Sequence, residues 1–151
     1  MHSNFLKLNN SKTEFLIIGS PHLLSKLPKD ISLKIGDTAV SSTSSARNIG
    51  AIFDQHLHMT AHVNSICRSC YIHIRDIGKI RPYLTQDATE KLVHAFISSK
   101  LDYLNSLLIG LPDSLLSRLQ RIQNNAARIV TRTRKHNSIT PVLKSLHWLP
   151  V

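Results

Sequence analysis

Between Pro112 and Arg132 the chain reads DSLLSRLQRIQNNAARIVT, and no other run restricts the possible folds as strongly. Leu115, Leu119, Ile122, Ala126, Ile129 and Val130 recur at spacings of three and four, so a helix gathers them onto one face. Arg118, Arg121, Asn125, Arg128 and Arg132 recur at the same spacing and share another face. The apolar face requires other helices to bury it. The second face carries charge of one sign, with no interleaved Glu to neutralise it by i,i+4 pairing, which suits a polyanion.

The partner helices are supplied after residue 56. Val63, Ile66, Cys67, Cys70, Ile74 and Ile77 form one apolar stripe that stops at Pro82. Asp87 with Glu90 resembles a capping box, and Leu92, Val93, Phe96, Ile97, Leu101 and Leu104 follow on one face. Gly110 and Pro112 break that helix and start the arginine-bearing one. Thr140-Pro141 reads as N-cap and first-turn residue of a short last helix with Val142, Leu143 and Leu146.

Before residue 56 the apolar period is two. Phe15–Ile18 ends at Gly19-Ser20-Pro21, Ile31, Leu33 and Ile35 alternate up to Gly36-Asp37, and Ile49, Ala51 and Phe53 alternate up to Asp54. The Ser41–Ser45 cluster reads as a flexible connection. The expected fold is therefore α+β: a small antiparallel β-meander over residues 1–56, then a three- to four-helix bundle over residues 57–151.

Charge narrows the function. Nineteen Lys and Arg stand against nine Asp and Glu, and the excess lies in the helical part. From Arg118 to Lys144 the basic residues are Arg118, Arg121, Arg128, Arg132, Arg134, Lys135 and Lys144, with no acidic residue among them. Such a block favours nucleic acid over an anionic membrane as partner. No run of about 18 apolar residues is present, so no membrane span is expected. The start, MHSNFLKLNN, lacks the apolar stretch of a secretory signal. Two cysteines make no disulfide framework, and an intracellular location, nuclear or cytoplasmic, is expected.

Three segments carry a family resemblance. Asp102 to Pro112 reads D-Y-x-N-S-L-L-x-G-L-P, Leu119 to Arg128 reads L-Q-x-x-Q-N-x-A-A-R, and Ile139 to Pro150 reads I-T-P-V-L-x-x-L-H-W-L-P. In this order they resemble the region after the catalytic palm in reverse transcriptases of LINE-type (non-LTR) retrotransposons. Leu6-Lys7-Leu8-Asn9 with Lys12-Thr13-Glu14, and Ala46-Arg47-Asn48-Ile49-Gly50 with Phe53-Asp54, extend the likeness over nearly the whole chain.

The resemblance implies the end of a palm followed by a thumb-like bundle, truncated at the C-terminus relative to the family. It also implies what the chain lacks. Nucleotide polymerisation needs metal ions held by paired carboxylates, which the family carries in a Tyr-x-Asp-Asp turn and on an earlier strand. Here no two acidic residues are adjacent, so no independent polymerase activity is expected. The intact enzyme would use Mg2+; this part would hold neither cofactor nor metal. In the intact enzyme Lys12 would approach the incoming triphosphate, while Arg47, Asn48 and Gly50 would belong to the hairpin that grips the primer end. Arg118, Arg121, Asn125, Arg128 and Arg132, continued by Arg134, Lys135 and His136, would hold an RNA–DNA or DNA duplex by its phosphates without reading sequence. The missing palm and fingers would be further partners. The alternative is a helical protein-interaction module using the same surfaces.

Cys67-Arg68-Ser69-Cys70, with His56, His58, His62 and His73 nearby, has the spacing of a zinc or redox pair. Both cysteines fall on the apolar stripe, however, and are expected to be buried structural thiols. Asp102, Tyr103 and Asn105 are expected to form a polar network between helices, and Trp148 to anchor the core.

Overall fold

Local turn chemistry and long-range pairing together build the first part of the chain. A computed structural model describes residue 9 and residues 12–28, 30–103 and 105–151. The resemblance at Leu6 to Leu8 and the apolar position Leu104 lie outside the described residues. The chain divides into two compact units between Ala61 and His62, a few residues beyond the change of period.

The first unit contains β1 (Phe15–Leu16), a one-turn helix α1 (Pro21–Leu24), β2 (Ser32–Ile35), β3 (Thr38–Thr43), β4 (Ser45–Asn48) and β5 (Ala51–Asp54). β2 and β3 pair antiparallel through Gly36-Asp37, where Gly36 has φ 60° and so occupies the left-handed region open to glycine. β1 joins the other edge of β3 in parallel, Phe15 opposite Ser42, so the sheet is mixed. β4 and β5 form a separate antiparallel hairpin.

Ser41–Ser45 is not a flexible connection: it supplies the end of β3 and the start of β4. Pairing across the sheet, not local composition, decides this. The Ser42 amide donates to the Ile31 carbonyl at 2.9 Å, and the Thr43 hydroxyl to the Phe15 carbonyl at 3.3 Å. At Gly19-Ser20-Pro21 the chain starts α1: the Ser20 hydroxyl accepts from the Leu23 amide at 3.3 Å, and Pro21 opens the first turn.

Asp54 governs the passage into α2 (Thr60–Ile80). Its carboxylate accepts the amides of His56 and His58 at 3.0 Å and of Met59 at 2.8 Å. The loop it gathers is strained, with Leu57 at φ 54° and Met59 at φ 56°.

In the second unit, α2 leads through a 3₁₀ turn (Arg81–Tyr83) to α3 (Gln86–Val93). A π-helical turn (His94–Ser98) joins α3 to α4 (Ser99–Asp102), and a 3₁₀ turn (Asn105–Leu108) precedes α5 (Asp113–Thr131) and α6 (Thr140–Ser145). The apolar stripes meet as expected. Val63 and Cys70 of α2, Val93 and Ile97, and Leu119, Ile122 and Val130 of α5 are essentially inaccessible and belong to one core cluster. Burying each of the larger aliphatic side chains contributes roughly 1.5–3 kcal/mol. The α+β architecture, strands first and helices after, is the one the sequence predicts.

Two caps differ from expectation. α3 is capped by Thr85, whose hydroxyl accepts from the Ala88 amide at 3.2 Å, rather than by an Asp87–Glu90 box. Asp87 instead pairs with Lys91 at 2.7 Å. In α6, Thr140 is already the first helical residue and Ile139 holds the cap position. Phe96 is also turned out of the core: it is 44% exposed and stacks on His73 at 5.1 Å.

Candidate nucleic-acid interface

The stripe of α5 is built by its opposite face. Leu115, Leu119, Ile122, Ala126 and Val130 are buried, which turns Arg118, Arg121 and Asn125 toward the flank and the surface. Arg121 is exposed, and Arg118 and Asn125 are half-buried. The ion pairs among the described residues join Asp76 to Arg75 and Lys79, Asp87 to Lys91, and Glu90 to His94; none includes an arginine of α5.

The C-terminal members behave differently. Arg128 donates through one terminal nitrogen to the Arg134 carbonyl and through the other to the Asn137 carbonyl at 2.9 Å, folding the basic link back onto the helix. Arg132 is no longer on the stripe. It adopts the left-handed conformation at φ 55° as the C-cap, and its guanidinium donates to the Arg81 carbonyl at 3.1 Å. Arg134 and Lys135 are exposed on the link. Five residues expected on one face thus separate into three that remain on it and two occupied with the chain's own carbonyls.

The residue that periodicity missed is Arg81. Its guanidinium donates to the carbonyls of Ile129 at 2.8 Å, Val130 at 2.7 Å and Leu84 at 2.8 Å. The first two are carbonyls of the last turn of α5, which lack amide partners within the helix, at the end where the helix dipole favours a cation. Burial, and after it the neighbouring Arg132 charge, hold Arg81 below the ordinary arginine value. No local pattern links Arg81 to residues 48 and 49 positions away.

In the first unit Lys12 is exposed and its amide donates to the Asn9 carbonyl at 3.1 Å. Arg47 and Asn48 are exposed at the end of β4, paired with Ile52 and Ala51 of β5. The turn between them runs through Ile49 at φ 48° and Gly50 at φ 81°. Gly50 suits that geometry, whereas β-branched Ile49 is strained by it. The Arg47 amide donates to the Glu14 carboxylate at 2.9 Å, joining two segments that the family resemblance singles out.

Cys67 and Cys70 are both buried free thiols. Burial pushes Cys67 up and Cys70 up to about 11, against the opposing fields of Arg118 and Lys100 respectively. Among the described residues no three His, Cys, Asp or Glu side chains are placed to share a metal ion. Asp102 and Asn105 line a cleft of about 720 Å³ with Ile109, Leu149 and Trp148. Trp148 packs against the core cluster and meets the His94 ring edge-on at 5.5 Å. Among the described residues no helix is long and apolar enough to cross a membrane.

The chain matches no family model, no curated protein and no solved structure.

Proposed function

We propose that this chain corresponds to the end-of-palm and thumb part of a LINE-type reverse transcriptase and grips a template–primer duplex, without sequence preference, through the outer face of α5. One observation carries the reading. Arg118, Arg121 and Asn125 lie side by side on a 19-residue helix whose other face is buried, and no acidic residue follows Asp113 in the chain. Guanidinium groups donate paired hydrogen bonds to phosphate oxygens, releasing counterions and reading no base edges.

Lys12, Arg47, Asn48 and Gly50 take the supporting roles of triphosphate contact and primer-grip hairpin in the intact polymerase. The chain supplies no adjacent carboxylates for the metal ions, so its part is holding rather than chemistry.

Fluorescence anisotropy with a labelled RNA–DNA duplex tests the grip. Binding is expected to weaken steeply from about 50 to about 300 mM salt, and the double variant Arg118→Ala/Arg121→Ala is expected to lose about 1.8 units of log–log salt slope. Absence of binding at low salt, from protein shown folded by circular dichroism, would refute it. A second reading, a protein-interaction module, draws on the cleft beside Ile109 and Leu149, both 84% exposed. That reading predicts partner binding unaffected by the arginine changes.

A further inference from the structure

A second set of cations lies around the middle of α2. The π-helical turn at His94–Ser98 sets its geometry. An unbroken α-helix advances about 100° per residue, so positions four apart drift steadily around it. Across the wider π turn Val93, Ile97 and Leu101 are all buried. The same phase brings Lys100 against α2, where its ammonium donates to the Ser69 hydroxyl at 2.9 Å. A hydroxyl fixes the ammonium without neutralising it, and among the described residues no carboxylate pairs with it.

The helical phase of α2 orders the remaining groups. With Val63, Ile66, Cys67, Cys70 and Ile77 turned to the core, Ser69 lies on one flank and Arg68 on the exposed arc. Lys100 covers the Ser69 side. Arg118 lies on α5 between Leu115 and Leu119, which share a core cluster with Cys67, and its charge opposes the burial-driven rise of that thiol. Arg68 is exposed. From Thr60 to Arg75 the helix has no acidic residue, and its Asp76 is held by Arg75 and Lys79.

We infer that Lys100, Arg68 and Arg118 form a basic band across α2 that binds the phosphodiester backbone of a nucleic acid, extending the α5 face onto α2 and α4. The inference rests on the proposed duplex grip and adds a footprint to it. Lys100 is the pre-set member: its head group is already positioned by Ser69, so less side-chain freedom is lost on binding. Arg68 is free to follow the backbone.

The test uses the full chain and a labelled RNA–DNA duplex, with the log–log salt slope as the readout. Each phosphate contact contributes about 0.9 to that slope, so Arg68→Ala and Lys100→Ala should each lower it by about 0.9, or about threefold in affinity between 50 and 200 mM salt. Lys100→Arg should restore the slope. Ser69→Ala removes the tether but not the charge, and should leave the slope unchanged. If Lys100→Ala is unfolded by circular dichroism, Arg68→Ala alone decides. Unchanged slopes for the folded Arg68 and Lys100 variants, with a lowered slope for Arg121→Ala, would overturn the band and leave the α5 grip standing. An unchanged slope for Arg121→Ala, with losses at Arg68 and Lys100, would support the band and remove Arg121 from the grip. No binding by the unaltered chain would overturn both.

Discussion

Replacing Arg81 should damage the fold more than replacing any arginine of the α5 face. The side chain makes three hydrogen bonds of 2.7–2.8 Å, two of them to the last turn of α5. Hydrogen bonds to a charged group contribute about 1.5–3 kcal/mol each when buried. Arg81 is only half-buried, and water can take over part of what is lost at the carbonyls, so Arg81→Ala is expected to cost about 2–4 kcal/mol in total. For a chain of this length that corresponds to a fall in Tm of roughly 5–15 °C. Arg81→Lys should recover less than half, because an ammonium on a flexible stem cannot span the geometry of the planar fork. Urea unfolding followed by far-UV circular dichroism gives the free energies, and amide hydrogen exchange locates the effect at the end of α5. A loss below about 1 kcal/mol, or full recovery with lysine, would refute the capping argument.

Asp54 should give the chain a marked acid dependence. Partial burial raises its pKa, but the amides of His58, His56 and Met59 and the nearby His58 charge outweigh that and hold it below the ordinary carboxylate value. The stabilisation is therefore fully present above the unfolded-state value of about 3.9 and is lost as pH falls through the lower folded value. Asp54→Ala should cost about 1 kcal/mol at neutral pH and flatten the acid limb of a denaturation series; an unchanged limb would count against it. Ile49→Asn should stabilise the β4–β5 hairpin by about 1 kcal/mol, read from the urea midpoint, because asparagine tolerates the left-handed region. Cys70, with its pKa at about 11, should resist a thiol reagent at pH 8 until the chain unfolds. Rapid labelling of the native protein at Cys70 would contradict its placement in the core.

What the sequence disclosed follows the range of the forces involved. Amphipathic helices announce themselves locally: the stripes of α2 and α5 appear in the core with the members that periodicity assigns. The hairpin at Gly36-Asp37 has a local signal of the same kind. The strand character of Ser41–Thr43 does not, because three hydroxyl residues become a strand through partners at Phe15, Ile31 and Ser32. The parallel placement of β1 is equally a long-range outcome. At the start of α3 Asp87 and Glu90 fit a capping pattern, but it is the Thr85 hydroxyl that accepts the Ala88 amide. The π turn had no signature beyond the spacing of Val93, Ile97 and Leu101, which an ordinary helix also accommodates.

The arginines show why one stripe does not make one function. Inside α5 each carbonyl accepts an amide four residues on, so Arg118 and Arg121 meet no unsatisfied acceptor on their own helix. In the last turn those amides run out, and the following link exposes further carbonyls. Arginines within reach are drawn to them: Arg128 to Arg134 and Asn137, Arg132 to Arg81, and Arg81 to Ile129 and Val130. Periodicity reports which way a side chain points but not how near it lies to a helix end. It therefore carries the row of outward arginines one turn further than the helix itself does. The proposed interface is accordingly centred on Arg118 and Arg121 rather than on the link at Arg134 and Lys135. A duplex held there should respond to charge changes on α2 before it responds to changes beyond Thr131.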